Sequence, residues 1–219
     1  MSTTTVPRWT CALFDVDGTL VDSAPQVTRA FEVALAERGL PVPSNEALRR
    51  YVGPPLWWSF SDLGYEGETV AELVVDYRRI YDGMFLDPLP FPGIGDLLKD
   101  LRSAGVPIGT ATSKQEYMAL AQIEHLGFRD SFDVIAGATP GPGSTKASVI
   151  ADALDRLDAL GLDASRPVLV GDSIWDVEGA KQAGIDVIGV TWGYSGPGDL
   201  DECVATVSSV ADLEALLGL

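Results

Sequence analysis

Asp15 and Asp17, in the run "LFDVDGTLVDS" (Leu13–Ser23), stand one residue apart at the end of an apolar stretch, with Gly18 and Thr19 behind them. In an extended backbone, residues two apart point to the same side, so both carboxylates can face one point, and glycine lets the chain turn sharply away. Two such charges about 4 Å apart repel by about 4 kcal/mol at an effective dielectric of about 20. A hard cation reverses that sign. Mg²⁺ prefers oxygen ligands, takes one or two carboxylates, and keeps water and substrate phosphate in its remaining positions.

Three more polar groups stand at the ends of apolar runs or at the start of the next helix. "GDSIWD" closes the run "VLV" and places Asp172 and Asp176 one helical turn apart if a helix begins at Ser173. In "TATSK", Thr112 and Ser113 end a predicted strand and precede a helix, offering hydroxyls and free backbone N–H groups to an anion. In "GSTKASV", Lys146 opens a helix after a loop rich in glycine and proline. Each also has an ordinary reading, since an Asp at a strand end or a Ser before a helix is commonly a cap, and a lysine is commonly a solvated charge.

The elements that must carry these groups can be read from periodicity. Short apolar runs, "CALFDV", "VPIGTAT", "FDVIAG", "PVLVGD" and "DVIGVTW", alternate with helical patterns. One such helix has Ile94, Leu97, Leu98, Leu101 and Ala104, begun by Pro92 and stopped by Gly105; another has Ile150, Leu154, Leu157 and Leu160, ending at Gly161. Strands apolar on both faces and alternating with helices predict an α/β fold, a doubly wound, Rossmann-like parallel sheet. The segment after the first strand breaks the rhythm, with only helical patterns such as Val70, Leu73, Val74, Tyr77, Ile80, Tyr81, Met84 and Phe85. The expected organisation is therefore a core of residues 1–22 and 91–219 with an all-helical cap, 23–90, inserted after the first strand. Ligands of doubly wound sheets bind outside the carboxyl ends of strands, so this insert would sit over the site. Its Gly/Pro/aromatic punctuation, "GPPLWWSF" (Gly53–Phe60), makes Gly53 and Trp57 candidate substrate contacts, although Trp57 and Trp58 could equally fill the core of the cap.

Composition narrows the partners. A formal net charge of −17 repels nucleic acid and anionic lipid, so an anionic substrate needs a local positive focus from lysine, arginine, a metal ion or helix N-termini. No apolar stretch approaches a membrane span, and "MSTTTVPRWT" has no apolar leader core, which points to the cytoplasm. Cys11 and Cys203 do not make a disulfide framework. Composition leaves the oligomeric state open. Arg49 and Arg50 are candidate cap cations or exposed helix residues, and the single histidine, His125, reads as mid-helix and non-catalytic.

In order and spacing these groups resemble the haloacid dehalogenase-like hydrolase superfamily, through "DVDGT", Thr112, Lys146 and "GDSIWD", and "VGPPL" and "ATSK" look like its phosphoglycolate phosphatase-like members with a helical cap after the first motif. The likeness covers nearly the whole chain; where that subgroup often has "TNK" this sequence has "TSK". The resemblance implies a Mg²⁺-dependent phosphatase acting on a small phosphorylated metabolite through an aspartyl-phosphate. Asp15 would be the nucleophile, ionised at neutral pH with a pKa near the ordinary ~3.9. Asp17 would protonate the leaving group and then activate water, Thr112, Ser113 and Lys146 would hold the phosphoryl oxygens, Asp15, Asp172 and the backbone carbonyl of Asp17 would ligate the metal, and Asp176 would orient Lys146 or metal-bound water. A sugar phosphomutase would use the same aspartyl-phosphate. A dehalogenase would lack the acid at position 17. A phosphorelay receiver would have an acidic pocket without a cap, and a non-catalytic binding module is a further alternative.

Overall fold

The computed structural model describes residues 8–140 and 143–219. Residues 1–7, the greater part of the stretch "MSTTTVPRWT" on which the reading of the N-terminus falls, lie outside it. The elements follow in the order β1 (Cys11–Phe14), β2 (Val21–Asp22), α1 (Ala24–Glu37), α2 (Asn45–Leu48), α3 (Leu56–Asp62), α4 (Gly67–Tyr81), β3 (Leu89–Pro90), α5 (Ile94–Ser103), β4 (Ile108–Gln115), α6 (Glu116–His125), β5 (Val134–Ala138), α7 (Lys146–Ala159), β6 (Pro167–Gly171), α8 (Ile174–Ala183), β7 (Asp186–Val190), β8 (Ala205–Val207) and α9 (Val210–Leu217).

Six strands form one parallel sheet in the order β5-β4-β1-β6-β7-β8. β1 lies inside it, with Leu13 opposite Gly109 on one side and Leu169 on the other. All four of its residues are buried, as a strand covered on both faces requires. The chain runs outward from β1 through β4 to β5, then crosses back to β6 and runs outward the other way. The strand order therefore reverses beside β1, the place where doubly wound sheets bind ligands.

Between β2 and β3 lie α1 to α4 and one 3-10 turn, Arg49–Tyr51. They have their own apolar cluster, centred on Phe31, whose ring lies 5.7, 5.0 and 4.8 Å from those of Tyr51, Phe60 and Tyr77. Met118 of α6 joins this cluster from the core side. The two ends of the helical segment are tied by the antiparallel pair β2 and β3, with Val21 opposite Pro90 and Asp22 opposite Leu89. Among the described residues no helix is long and apolar enough to cross a membrane.

Several boundaries differ from the sequence reading. α4 stops at Tyr81, so Met84 and Phe85 lie beyond it, where Gly83 and Pro88 end the helical run. α5 starts at Ile94 and excludes Pro92, because Gly93 takes φ +90°, a left-handed conformation through which no helix extends backward. β4 continues past Thr112 to Gln115 with a register shift, so Ser113 and Lys114 belong to the strand. His125 is the exposed last residue of α6.

Candidate active site

Three separated segments deliver four side chains to one place at the carboxyl end of β1. Asp15 directly follows that strand, and its N–H donates to Val170 O of β6 at 2.9 Å. Asp172 directly follows β6. Lys146 is the first residue of α7, and its Nζ lies 2.9 Å from Asp15 Oδ1 and 2.7 Å from Asp176 Oδ1 while donating to Ala111 O of β4 at 2.8 Å. Asp176 is held by a reciprocal cap at the start of α8: its Oδ2 accepts from Ser173 N at 3.0 Å and from Ser173 Oγ at 2.7 Å, which leaves Oδ1 to face the lysine.

Asp172 accepts from Tyr194 N at 2.7 Å and from Thr19 Oγ1 at 3.3 Å. Gly18 and Gly193 close around it; a Cβ at either position would fall inside contact distance of Asp172 Oδ2, and Gly18 also takes φ +82°. The two glycines are what let a carboxylate be wedged between two backbone segments.

Asp15, Asp172 and Asp176 are all buried, and one oxygen from each lies within 4.8 Å of the others. Burial pushes the pKa of Asp15 up from 3.8 to about 6; Lys146 pulls it down and Asp176 adds to the rise. Burial, then Asp176 and Asp15, hold the Asp172 carboxyl well above the usual range. Burial alone would lower Lys146, yet Asp15 and Asp176 keep it above the ordinary lysine range. One ammonium among three carboxylates leaves excess negative charge in a low dielectric. Asp15 Oδ1 and Asp176 Oδ1, both fully buried, have no aligned hydrogen bond although each sits beside the ammonium. This all-oxygen donor set fits a hard divalent cation.

Asp17 faces elsewhere. Its Oδ1 accepts from Lys114 Nζ at 2.9 Å; that buried ammonium also donates to Gln122 Oε1 and lies 5.6 Å from the centre of the Tyr81 ring. Thr112 is buried on the same strand, its Oγ1 accepting from Lys114 N at 3.2 Å. Lys114 went unnoticed in sequence although it stands in "TATSK". The signal was there, since strand alternation puts residues 112 and 114 on one face.

A cavity opens between the helical segment and the sheet. Asp17, Ser113, Lys114 and Lys146 line it from the core, and Gly53 and Trp57 line it from the helices. Trp58 turns away, exposed, with its ring 5.2 Å from that of Trp175 in the "GDSIWD" run. Arg49 and Arg50 do not line the cavity: Arg49 lies over Tyr194 and Arg50 pairs with Asp62. The cap cation that does line it is Arg78, which sequence reasoning passed over. Gly141 and Pro142, in the loop before Lys146, lie outside the described residues.

The family model described as haloacid dehalogenase-like hydrolase matches residues 12–190. The chain is 41% identical over 214 residues to a protein named tyrosine-protein kinase PtkA of Mycobacterium tuberculosis, covering 94% of this chain and 72% of that one. It is 33% identical over 225 residues to a phosphoglycolate phosphatase of Yersinia pestis, covering 94% and 92%. A haloacid dehalogenase-like hydrolase of Streptococcus pneumoniae has a similar structure, with a TM-score of 0.85 at 31% identity over 95% of this chain and 98% of that one.

Proposed function

Since the chain belongs to the haloacid dehalogenase-like hydrolase family, we propose that it is a Mg²⁺-dependent phosphatase that cleaves a small phosphomonoester through an aspartyl-phosphate on Asp15. The observation that carries this reading is the Lys146 ammonium held between Asp15 and Asp176, with Asp172 beside them, at the strand end where the sheet order reverses.

Asp15 and Asp172 are the carboxylates that would hold the cation, with Asp176 close enough to contribute. A divalent ion there supplies positive charge that makes an ionised carboxylate tolerable beside a phosphoryl group. The rest is the work of this chain. Asp15, with a pKa of about 6, is mostly ionised at neutral pH and needs no base. Its oxygen forms a bond to phosphorus as the ester P–O bond breaks, and the departing oxygen takes a proton from Asp17. Asp17 then takes a proton from water, whose oxygen attacks phosphorus; the bond to Asp15 breaks, and phosphate leaves with the Asp15 carboxylate restored. Lys114, 2.9 Å from Asp17 Oδ1, aims that carboxylate. Lys146, Thr112 and the N–H groups around Ser113 stabilise charge on the transferring group, which is most of what phosphoryl transfer demands.

Inorganic phosphate released from a panel of esters in Mg²⁺, and abolished by EDTA, is the expected result. Asp15→Asn is expected to lose the acid-labile phospho-enzyme, and an adduct trapped on another side chain would overturn the assignment. Phosphoryl transfer to a sugar or a tyrosine without phosphate release would instead favour an acceptor other than water, the reading that the kinase-named relative represents.

A further inference from the structure

We propose that the ester taken by this site has a leaving group built on a planar aromatic ring; this rests on the phosphatase reading and goes beyond it. The cavity beside Asp17 is walled by Tyr51, Trp57, Tyr77, Tyr81, Met118 and Trp175, which come from the helical segment, from α6 and from α8. Tyr77 and Tyr81 stack on each other at 5.6 Å and 21°, so they present a continuous aromatic wall. Trp57 and Trp175 are each only half-buried and are parts of this lining, and Trp57 also packs against the apolar cluster of the helices. Aromatic walls of this kind recognise a flat ring by stacking and edge contacts.

The lining also holds polar groups that a leaving group can meet. Among the described residues the cavity lining holds three cations, Lys146, Lys114 and Arg78. Lys146 meets Asp15, Asp176 and Ala111 O. Lys114 meets Asp17 and Gln122. Arg78 meets Gln115, whose amide oxygen, turned toward the guanidinium, accepts from Nε at 3.1 Å and Nη2 at 3.2 Å, which leaves further guanidinium N–H groups for an acceptor on the leaving group. Trp57 Nε1 and the Tyr81 hydroxyl, both from residues of the lining, are buried without partners, so an acceptor on the ring or its linker has donors to meet.

An aryl side group and a nucleobase share this chemistry, and the test separates them. Hydrolysis of 2-phenylethyl phosphate, a nucleoside 5′-monophosphate, glycerol phosphate and glycolate phosphate is compared in Mg²⁺; all four lose an alkoxide, so intrinsic reactivity is matched. At least one ring-bearing ester is expected to exceed glycolate phosphate in kcat/KM by about tenfold or more, and Trp57→Leu, which keeps apolar bulk, is expected to bring that ratio toward one. Equal kcat/KM values, or a preference for glycolate phosphate, would overturn the ring assignment while leaving the phosphatase reading intact. If no ester is cleaved, the phosphatase reading falls, and binding decides the ring question. Tryptophan fluorescence titrations with 2-phenylethylphosphonate and carboxymethylphosphonate are expected to show about tenfold tighter binding of the first, and equal or weaker binding of it would overturn the inference.

Discussion

Asp17 owes its aim to Lys114, a lysine whose side chain is 2% exposed and which hydrogen-bonds to it at 2.9 Å. Removing one partner of a buried ion pair costs about 3–5 kcal/mol, because the other charge stays desolvated. Lys114→Met is therefore expected to lower urea-unfolding stability by about that amount, and Asp17→Asn with Lys114→Met by clearly less than the sum of the two single changes. Additive losses in that cycle would show that the pair is not coupled. Around Asp172 the critical residue is one without a side chain. Gly193 has no left-handed backbone to satisfy, so Gly193→Ala adds only a methyl group, driven against Asp172 Oδ2. Calorimetric titration with Mg²⁺ is expected to show about 10- to 100-fold weaker binding, with far-UV circular dichroism unchanged. Asp15, Asp172 and Lys146 were legible because each ends an apolar run or opens a helix. Gly193 was not, since it stands far along the chain from Asp172 and the closeness exists only in three dimensions.

The helical segment stands on its own apolar cluster, distinct from those that pack either face of the sheet. Phe31, fully buried and touching three other rings, is its keystone. Phe31→Ala is expected to cost about 3–5 kcal/mol. Hydrogen exchange should place the loss in α1, α3 and α4, while β1, β4 and β6 keep their protection. Uniform loss across the sheet would mean that the two parts unfold as one unit. Long elements such as α4 and α7 were readable because three or four turns repeat the same apolar spacing. β2, β3 and β8 have two or three residues each, too few to show any period, and only pairing reveals them. The ends of α4 and α5 were missed for a related reason: periodicity counts apolar residues and is blind to the backbone angle at Gly93.

At the scale of the whole molecule, alternation of strands and helices foretold a parallel sheet, but the jump from β5 across β1 to β6 has no local signature, and that jump is what brings Asp172 beside Asp15. The result is a concentrated negative charge inside a chain already at −17. Its effect on stability has a definite sign. Asp15 rises from 3.8 to about 6 on folding, so between those pH values the native protein binds more protons than the unfolded chain, and stability falls as pH rises. Above about pH 6 the full penalty, about 3 kcal/mol, is in place. Asp172, raised as well, acts in the same direction, and Lys146 stays charged throughout this window. A divalent cation binds only the ionised acids and offsets the penalty. In EDTA with 150 mM NaCl to screen the surface, Tm is therefore expected to rise as pH is lowered from about 7.5 to about 5.5. Millimolar Mg²⁺ should raise Tm by several degrees at pH 7.5, at roughly 2–4 °C per kcal/mol for a chain of this size, and by almost nothing near pH 5. The same Mg²⁺ shift at both pH values, or its survival in Asp172→Asn, would place the ion on the acidic surface instead of among these buried carboxylates.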